Sequence, residues 1–382
     1  MPEQQFEAPA AAFAQDKKAR VPGTRARACC MRLLAAGQPT NQDTLIFRTV
    51  NSDFLPAPNH NDDFLAPMLR DKLMPVRSWG VKHVPLVRRS LLSLMESRQW
   101  GIPGILNLLD ARTKWVDQAV TGALAAGIKQ VVIVAAGFDT RPYRLAPSDG
   151  SVRFFEVDLP HESARKRKLV NKLQLAKGPL PTYVAADLSM VDLGAVLLPA
   201  GFNPTEPALF TVEGLLYYLP QEAALALMGR ITQLACPGSK VVFDFLHAAA
   251  LAGCKTSLEG YQYAGYKVAA ATVAGRGEVW RFALEDSPQA VASFLAAAAG
   301  VTDKDKGSVA VNPTSHTIDL KAVSSGSDMR AAAPSPAKAS CLQLEQHLGP
   351  KGIVALTLPH LAWSDKQPPI SSFFSYVTAA MH

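Results

Sequence analysis

The chain has 382 residues, of which 48% are apolar and 19% are charged, with a net charge of +7. This length exceeds one ordinary domain of ~150 residues but fits a large α/β domain with added segments. The composition supports a sizeable core and excludes global disorder. The most apolar stretch, residues 119–138, is interrupted by Lys129 and Gln130. A spanning helix needs ~20 apolar residues in one segment, so we expect a soluble protein without a membrane partner.

Basic residues gather in two places, residues 17–32 and residues 165–172. Aromatic residues are not interleaved with them, as they would be in a platform for single-stranded nucleic acid. We therefore interpret both clusters as solvated and expect no nucleic-acid partner.

The five cysteines are scattered and form no C-x-x-C pair. Neither a disulfide framework nor a metal site is predicted, which favours a reducing, cytoplasmic location. The Arg and Ala content of residues 17–37 would suit organellar import, but Glu3, Glu7 and Asp16 argue against a transit peptide.

Five segments follow one another along the chain. Residues 1–20 are expected to be a disordered lead and residues 21–104, broken by prolines, a helical cap on the acceptor side. Residues 105–300 are predicted to form the core, and residues 301–340, poor in aromatics and rich in small residues, a disordered insertion. Residues 341–382 would supply a last strand and the end of the core.

Short apolar runs alternate with helical stretches from Ile105 onward. The predicted strands are 130–135, 153–158, 182–187, 208–213 and 240–246, with a last one at 352–358. Strands that alternate with helices indicate a mostly parallel, doubly wound Rossmann-like sheet.

The ends of the first four strands hold the candidate binding residues: Gly137, Asp158, the pair Asp187 and Leu188, and Glu213. In doubly wound folds the ligand lies at this edge of the sheet. An acid about 20 residues after the turn glycine accepts hydrogen bonds from ribose hydroxyls. For Asp158 and Asp187 a helix N-cap remains the alternative, and for Glu213 simple packing of the strand end.

Arg112 falls within the apolar stripe of a helix predicted to begin at Ile105, between Leu109 and Val116. An inward-facing guanidinium needs an anion, because an unpaired buried charge is very costly. A ligand carboxylate and an internal Asp or Glu are both open at this point.

The dinucleotide pattern G-x-G-x-x-G is absent, since positions 135, 137 and 140 are Ala, Gly and Thr. This counts against a dinucleotide and favours a cofactor with adenosine but no pyrophosphate. A nicotinamide-dependent oxidoreductase and a non-catalytic binding protein remain as alternatives.

Residues 131–145, VVIVAAGFDTRPYRL, resemble the glycine motif of the leucine carboxyl methyltransferase family. The segments ARTKWVD at 111–117, FEVDLP at 155–160, ADL at 186–188 and VEGLLYYL at 212–219 resemble the family's other motifs, in the same order. One departure is Ala135, where the family usually has glycine.

The resemblance implies an S-adenosylmethionine-dependent methyltransferase. It implies that Arg112 holds the cofactor's carboxylate and that Gly137 admits its methionine part. Asp158 would bind the ribose, Asp187 and Leu188 the adenine, and Glu213 would lie near the amino group.

The resemblance leans toward a carboxylate acceptor, on a small molecule or at a protein C-terminus, and toward O-methylation to a methyl ester. An ionised carboxylate needs no general base, and the sequence shows no nucleophile–base dyad. The alternative, a small-molecule hydroxyl acceptor, would need a base such as His161 or His247.

Overall fold

A twisted sheet with helices on both faces forms the centre of the molecule. The computed structural model describes residues 40–54, 60–95, 105–252, 267, 269–285, 288–300, 310–312, 317–319 and 374–380. Within these residues the sheet has eight strands in the order β3-β2-β1-β4-β5-β8-β7-β6. The strands are β1 (Gln130–Val134), β2 (Arg153–Asp158), β3 (Thr182–Ala185), β4 (Ala208–Val212), β5 (Lys240–Leu246), β6 (Ala310–Asn312), β7 (Thr317–Asp319) and β8 (Phe374–Ala380).

The first five strands are parallel and confirm the predicted Rossmann-like fold. Val132 of β1 lies beside Phe155 of β2 on one side and Phe210 of β4 on the other. All five residues of β1 and of β4 are buried. Strands covered on both faces consist of continuous apolar runs, which is why their positions could be predicted from the sequence.

The far edge of the sheet differs from the expectation. Strand β8 pairs antiparallel with β5, whereas the strand predicted at residues 352–358 lies outside the described residues. Strands β6 and β7 fall within the predicted insertion 301–340. The expectation of disorder does not hold for these six residues, which include the β-branched residues Val311, Thr317 and Ile318, of a type that favours strands. The predicted lead, residues 1–20, lies outside the described residues.

The helices cover both faces of the sheet and form the cap. They are α1 (Thr40–Phe54), α2 (Ala66–Leu73), α3 (Pro75–His83), α4 (Pro85–Met95), α5 (Ile105–Ala125), α6 (Arg141–Arg144), α7 (Pro160–Leu173), α8 (Leu193–Leu197), α9 (Gln221–Leu234), α10 (Ala248–Leu251) and α11 (Pro288–Ala298). Val116 and Val120 of α5 pack against one face of the sheet, and Leu227 and Ile231 of α9 against the other. No helix among the described residues is long and apolar enough to cross a membrane.

The cap is joined to the core by polar contacts as well as apolar ones. The backbone amide and the side chain of Asn61 both donate to Asp110 of α5, at 2.8 and 2.7 Å. Arg48 of α1 donates to the carbonyl of Phe138, just after β1, at 2.9 Å. Helix α1 is therefore fixed directly over the first strand-to-helix turn.

Candidate functional site

The predicted binding residues lie along the carboxyl edge of β1 to β4, with Arg112 reaching this edge from α5. In the sheet, β1 lies between β2 and β4. The chain runs outward from β1 through β2 to β3 and then returns to the other side of β1 with β4, so the strand order reverses between β1 and β4. This reversal opens a crevice in which doubly wound folds bind ligands.

Asp158 joins the end of β2 to the turn after β1. Its Oδ2 accepts a hydrogen bond from the amide of Gly137 at 2.6 Å, and its Oδ1 accepts from the amide of Leu159 at 2.7 Å. Helix α7 begins at Pro160 without a side-chain cap, so the N-cap alternative for Asp158 is wrong. Each carboxylate oxygen has two acceptor positions, which leaves capacity for ribose hydroxyls on both.

The turn itself has a left-handed backbone at two positions. Gly137 has φ +43° and Ala135 has φ +55°. Glycine adopts this region without steric cost, but an L-residue with a Cβ does so at a penalty of about 1–2 kcal/mol. The departure at Ala135 therefore places strain in the turn that lies closest to the candidate site.

Asp187 and Leu188 follow β3 and lie next to Asp158. The amide of Ala186 donates to the carbonyl of Asp158 at 2.8 Å. Oδ1 of Asp187 accepts from the amide and the hydroxyl of Ser189, at 2.9 and 2.7 Å, and these bonds lower its pKa. Helix α8 is capped by Asp192, so the N-cap alternative for Asp187 is also wrong. Leu188 packs against the core at this edge.

Arg112 is buried, as the helical pattern predicted, and its partners are internal acids. Its Nε lies 3.0 Å from Oε1 of Glu213, and its Nη1 lies 3.0 Å from Oδ2 of Asp244. Asp244 also accepts from the amide of Gly214 at 2.7 Å. Of the two alternatives, the internal ion pair is observed; the role toward a cofactor carboxylate stays a prediction.

These contacts belong to a larger set of ion pairs that runs from the cap to β5, called here the arginine–acid network. Arg141 is its centre, with Nη1 at 2.9 Å from Glu213 and Nε at 2.7 Å from Asp117. Arg144 contacts both Asp117, at 2.6 Å, and Asp63 of the cap. The members are Arg48, Arg112, Arg141, Arg144, Asp63, Asp117, Asp139, Glu213 and Asp244.

The acids of the arginine–acid network differ in the direction in which their pKa values are shifted. Burial alone would raise the pKa of Glu213, but Arg141 and Arg112 outweigh it and hold the pKa below its usual value. Asp139 is likewise buried, and Arg141 brings its pKa down to about 2. Burial dominates at Asp244 and raises its pKa despite Arg112. Asp244 is thus the more readily protonated partner of Arg112.

A second buried cluster contacts the turn after β1 through the carbonyl of Ala136. Lys166 of α7 is buried, so the interpretation of residues 165–172 as solvated is wrong for this residue. Its Nζ lies 2.7 Å from Oε1 of Glu156 and 3.4 Å from the carbonyl of Ala136. The hydroxyl of Tyr143 donates to Glu156 at 3.1 Å and lies 3.0 Å from the hydroxyl of Tyr183. Burial raises the pKa of Glu156 to about 7, with Lys166 opposing the rise.

The sequence reasoning missed Asp244 and Arg141. Asp244 is an acid in the middle of the apolar run of β5, a placement that requires a buried cation and so could have been noticed. Arg141 stands within the quoted glycine motif and is almost fully buried. The described residues contain no group of three His, Cys, Asp or Glu side chains that could hold a metal ion.

The model of the leucine carboxyl methyltransferase family matches residues 46–232. The match covers the cap from α1 onward and the core as far as α9, and so includes every predicted binding residue. The resemblance found in the motifs is confirmed.

Two relatives with similar sequences come from mycobacteria. A Mycolicibacterium vanbaalenii protein, provisionally named an S-adenosyl-L-methionine-dependent methyltransferase, is 35% identical over 192 residues, 49% of this chain and 62% of the relative. A Mycobacterium tuberculosis protein with the same provisional name is 41% identical over 140 residues, 37% of this chain and 46% of the relative. The chain spans less than two thirds of the length of these relatives.

A solved structure of a DUF574-family protein from Streptomyces avermitilis is also similar. It is 21% identical with a TM-score of 0.40, and the match covers 55% of this chain and 75% of that one.

Proposed function

We propose that the chain, of which residues 46–232 match the model of the leucine carboxyl methyltransferase family, is an S-adenosylmethionine-dependent methyltransferase. We further propose that the acceptor is a carboxylate and the product a methyl ester. The observation that carries the first proposal is the bond between Asp158 and the amide of Gly137 at the reversal of the sheet.

The charge of the site supports this cofactor over a dinucleotide. The arginine–acid network contains four arginines and five acids, an excess of one formal negative charge. S-adenosylmethionine has a sulfonium, an ammonium and one carboxylate, so its net charge is positive. A pyrophosphate would be repelled by the same acids, and the turn lacks the glycines that cradle it.

Each cofactor group would have a partner of matching chemistry. Arg112 would hold the carboxylate, and Asp158 the ribose hydroxyls. Glu213 would face the ammonium, and it keeps Arg141 as a second cation at 2.9 Å when Arg112 turns to the cofactor. The exocyclic amine of adenine would donate to Asp187, with Leu188 beside the ring.

The chain's contribution to the reaction is alignment. When bound, the cofactor would supply a methyl group on a sulfonium sulfur; an acceptor oxygen would bond to that methyl carbon in line as the carbon–sulfur bond breaks and the sulfur leaves as a neutral thioether. Side chains held in a buried ion-pair network keep fixed positions, and fixed alignment can lower a barrier by about 7–11 kcal/mol. A carboxylate acceptor is already ionised at neutral pH, so the site needs no proton acceptor for this step.

Titration calorimetry with S-adenosylmethionine, its demethylated product and NAD tests the cofactor. We expect micromolar binding of the first two and no heat with NAD. Binding of NAD without binding of S-adenosylmethionine would contradict the methyltransferase proposal and favour an oxidoreductase.

Labelled methyl transfer tests the acceptor. With radiolabelled cofactor and a cell extract as acceptor source, a methyl ester releases labelled methanol in mild alkali, whereas a methyl ether does not. Base-stable label would contradict the carboxylate proposal and favour a hydroxyl acceptor.

A further inference from the structure

Helices α3 and α4 of the cap expose several large apolar side chains. Val76 is 82% exposed, Leu86 is 74% exposed and Trp79 is 60% exposed. Val87, at 45%, continues the set. Scattered apolar residues are ordinary on a protein surface, but a contiguous group marks a site of interaction.

Residue spacing on α3 and a close approach between α3 and α4 bring members of this group together. Val76, Trp79 and His83 are spaced by three and four residues and so lie on one face of α3. The rings of Trp79 and His83 are 5.6 Å apart, and a Cβ at Gly80 would lie 3.6 Å from Val87 of α4. We call the surface formed by Val76, Trp79, His83, Leu86 and Val87 the cap face.

The segment that carries the cap face has charges of one sign. Residues 72–95 include five Lys or Arg residues and no acid: Lys72, Arg77, Lys82, Arg88 and Arg89. Lys72 and Arg89 are exposed. The acid that precedes this segment, Asp71, is bound to Arg70 and Lys82. The cap face therefore presents protruding apolar side chains beside exposed positive charge.

We propose that the cap face docks on an anionic lipid surface. Side chains exposed by 60–82% project outward instead of lining a groove, which suits insertion among lipid headgroups better than capture of a partner's side chain. Tryptophan favours the headgroup level of a bilayer, and basic residues beside an apolar face are attracted to anionic lipid. The expectation of no membrane partner rested on the lack of a spanning segment; docking at the surface needs none, so this proposal departs from that expectation and is compatible with the absence of a spanning helix among the described residues.

Vesicle co-sedimentation of the full chain tests the proposal. We expect binding to vesicles of equal parts phosphatidylglycerol and phosphatidylcholine, little binding to phosphatidylcholine alone, and release in ~0.5 M NaCl, where charges are screened within a few ångströms. The double variant Trp79→Ser with Leu86→Ser should bind at least about tenfold more weakly, because it removes apolar area that lipid would cover. A blue shift of emission on adding vesicles should be lost in Trp79→Phe.

Two controls separate the cap face from other sources of binding. Met190→Ser removes an apolar side chain that is 80% exposed on the core and should leave lipid binding unchanged. Replacing Lys17, Lys18 and Arg20 by Gln tests the basic segment near the N-terminus. If this N-terminal variant loses lipid binding while the Trp79→Ser and Leu86→Ser variant keeps it, the proposal is overturned.

Sedimentation velocity without lipid provides a further check. A dimer that becomes a monomer in the Trp79→Ser and Leu86→Ser variant would assign the cap face to a second copy of the chain and also overturn the proposal. Cofactor titration should be unaffected by the cap variants, so failure of lipid docking is distinguishable from failure of the proposed function.

Discussion

Arg112 and Asp244, 132 residues apart in the chain, meet in a buried ion pair of 3.0 Å between Nη1 and Oδ2. The other oxygen of Asp244 accepts from the amide of Gly214, where φ is +72°. One carboxylate on β5 thus fixes both the arginine of α5 and the turn after β4. Two sides of the crevice depend on the same side chain.

Asp244→Asn should lower the free energy of unfolding by about 1.5–3 kcal/mol, because a charged hydrogen-bonded partner of Arg112 becomes neutral. Urea denaturation measures it. Glu206→Gln is the matched control, since Glu206 and Arg153 are 3.5 Å apart and both about half exposed; exposed pairs contribute about 0–1 kcal/mol. Equal effects of the two variants would contradict the importance given to Asp244.

Asp158→Ala should weaken S-adenosylmethionine binding roughly 10- to 150-fold, the loss of about 1.5–3 kcal/mol of bonding to a charged acceptor. Titration calorimetry measures the affinity, and circular dichroism verifies that the variant is folded. Asp149→Ala is the control, because Asp149 also accepts from a backbone amide, that of Ser151, but lies outside the candidate site. Unchanged affinity in a folded Asp158 variant would refute the ribose assignment.

Arg112→Lys should reduce both cofactor affinity and apo stability. A lysine cannot reach Glu213 and Asp244 with separate nitrogens of a planar group. The apo protein should lose stability because Arg112 is ion-paired with both Glu213 and Asp244 before any cofactor binds. Thermal unfolding with and without cofactor separates the effects: loss of stability alone would assign Arg112 a purely structural role.

The sequence predicted the central strands because a strand buried on both faces is a nearly continuous run of apolar residues, as β1 and β4 are. The sequence also placed Gly137, Asp158 and Asp187 correctly at strand ends, because the bounds of a predicted strand determine which residues follow it. It did not predict the pairing of Arg112 with Asp244, because no local pattern relates residues on different elements. The N-cap alternatives were wrong for two different reasons: Asp158 bonds to the turn after the neighbouring strand, which no local pattern indicates, whereas Asp187 closes its own turn on Ser189.

Ala135→Gly should stabilise the protein by up to about 1.5 kcal/mol. Relief of a left-handed alanine yields about 1–2 kcal/mol, and the greater freedom of glycine in the unfolded chain costs about 0.5–1 kcal/mol. Ala136→Gly is the control, because Ala136 is buried and has no positive φ, so glycine there should only destabilise. A melting temperature that falls in both variants would contradict the strain assigned to Ala135.

Glu156 should make stability fall as pH rises from about 4.5 to 7. Its ordinary pKa is 4.5, and burial raises the pKa to about 7 in the folded protein, with Lys166 opposing. Over that interval the folded state keeps a proton that the unfolded chain releases, so increasing pH favours unfolding through this group. Glu156→Gln cannot titrate and should flatten this part of the curve of melting temperature against pH.

The control for this measurement is Glu162→Gln, since Glu162 lies on the same helix as Lys166, but its side chain is 15% exposed, against 2% for Glu156, and lies beside His161 and Arg165. It should reproduce the pH dependence of the unsubstituted protein. A slope between pH 5 and 7 that persists in Glu156→Gln would show that another group titrates there. A slope that disappears only in Glu156→Gln would identify Glu156 as the group that is protonated in the folded protein and ionised in the unfolded chain over this interval.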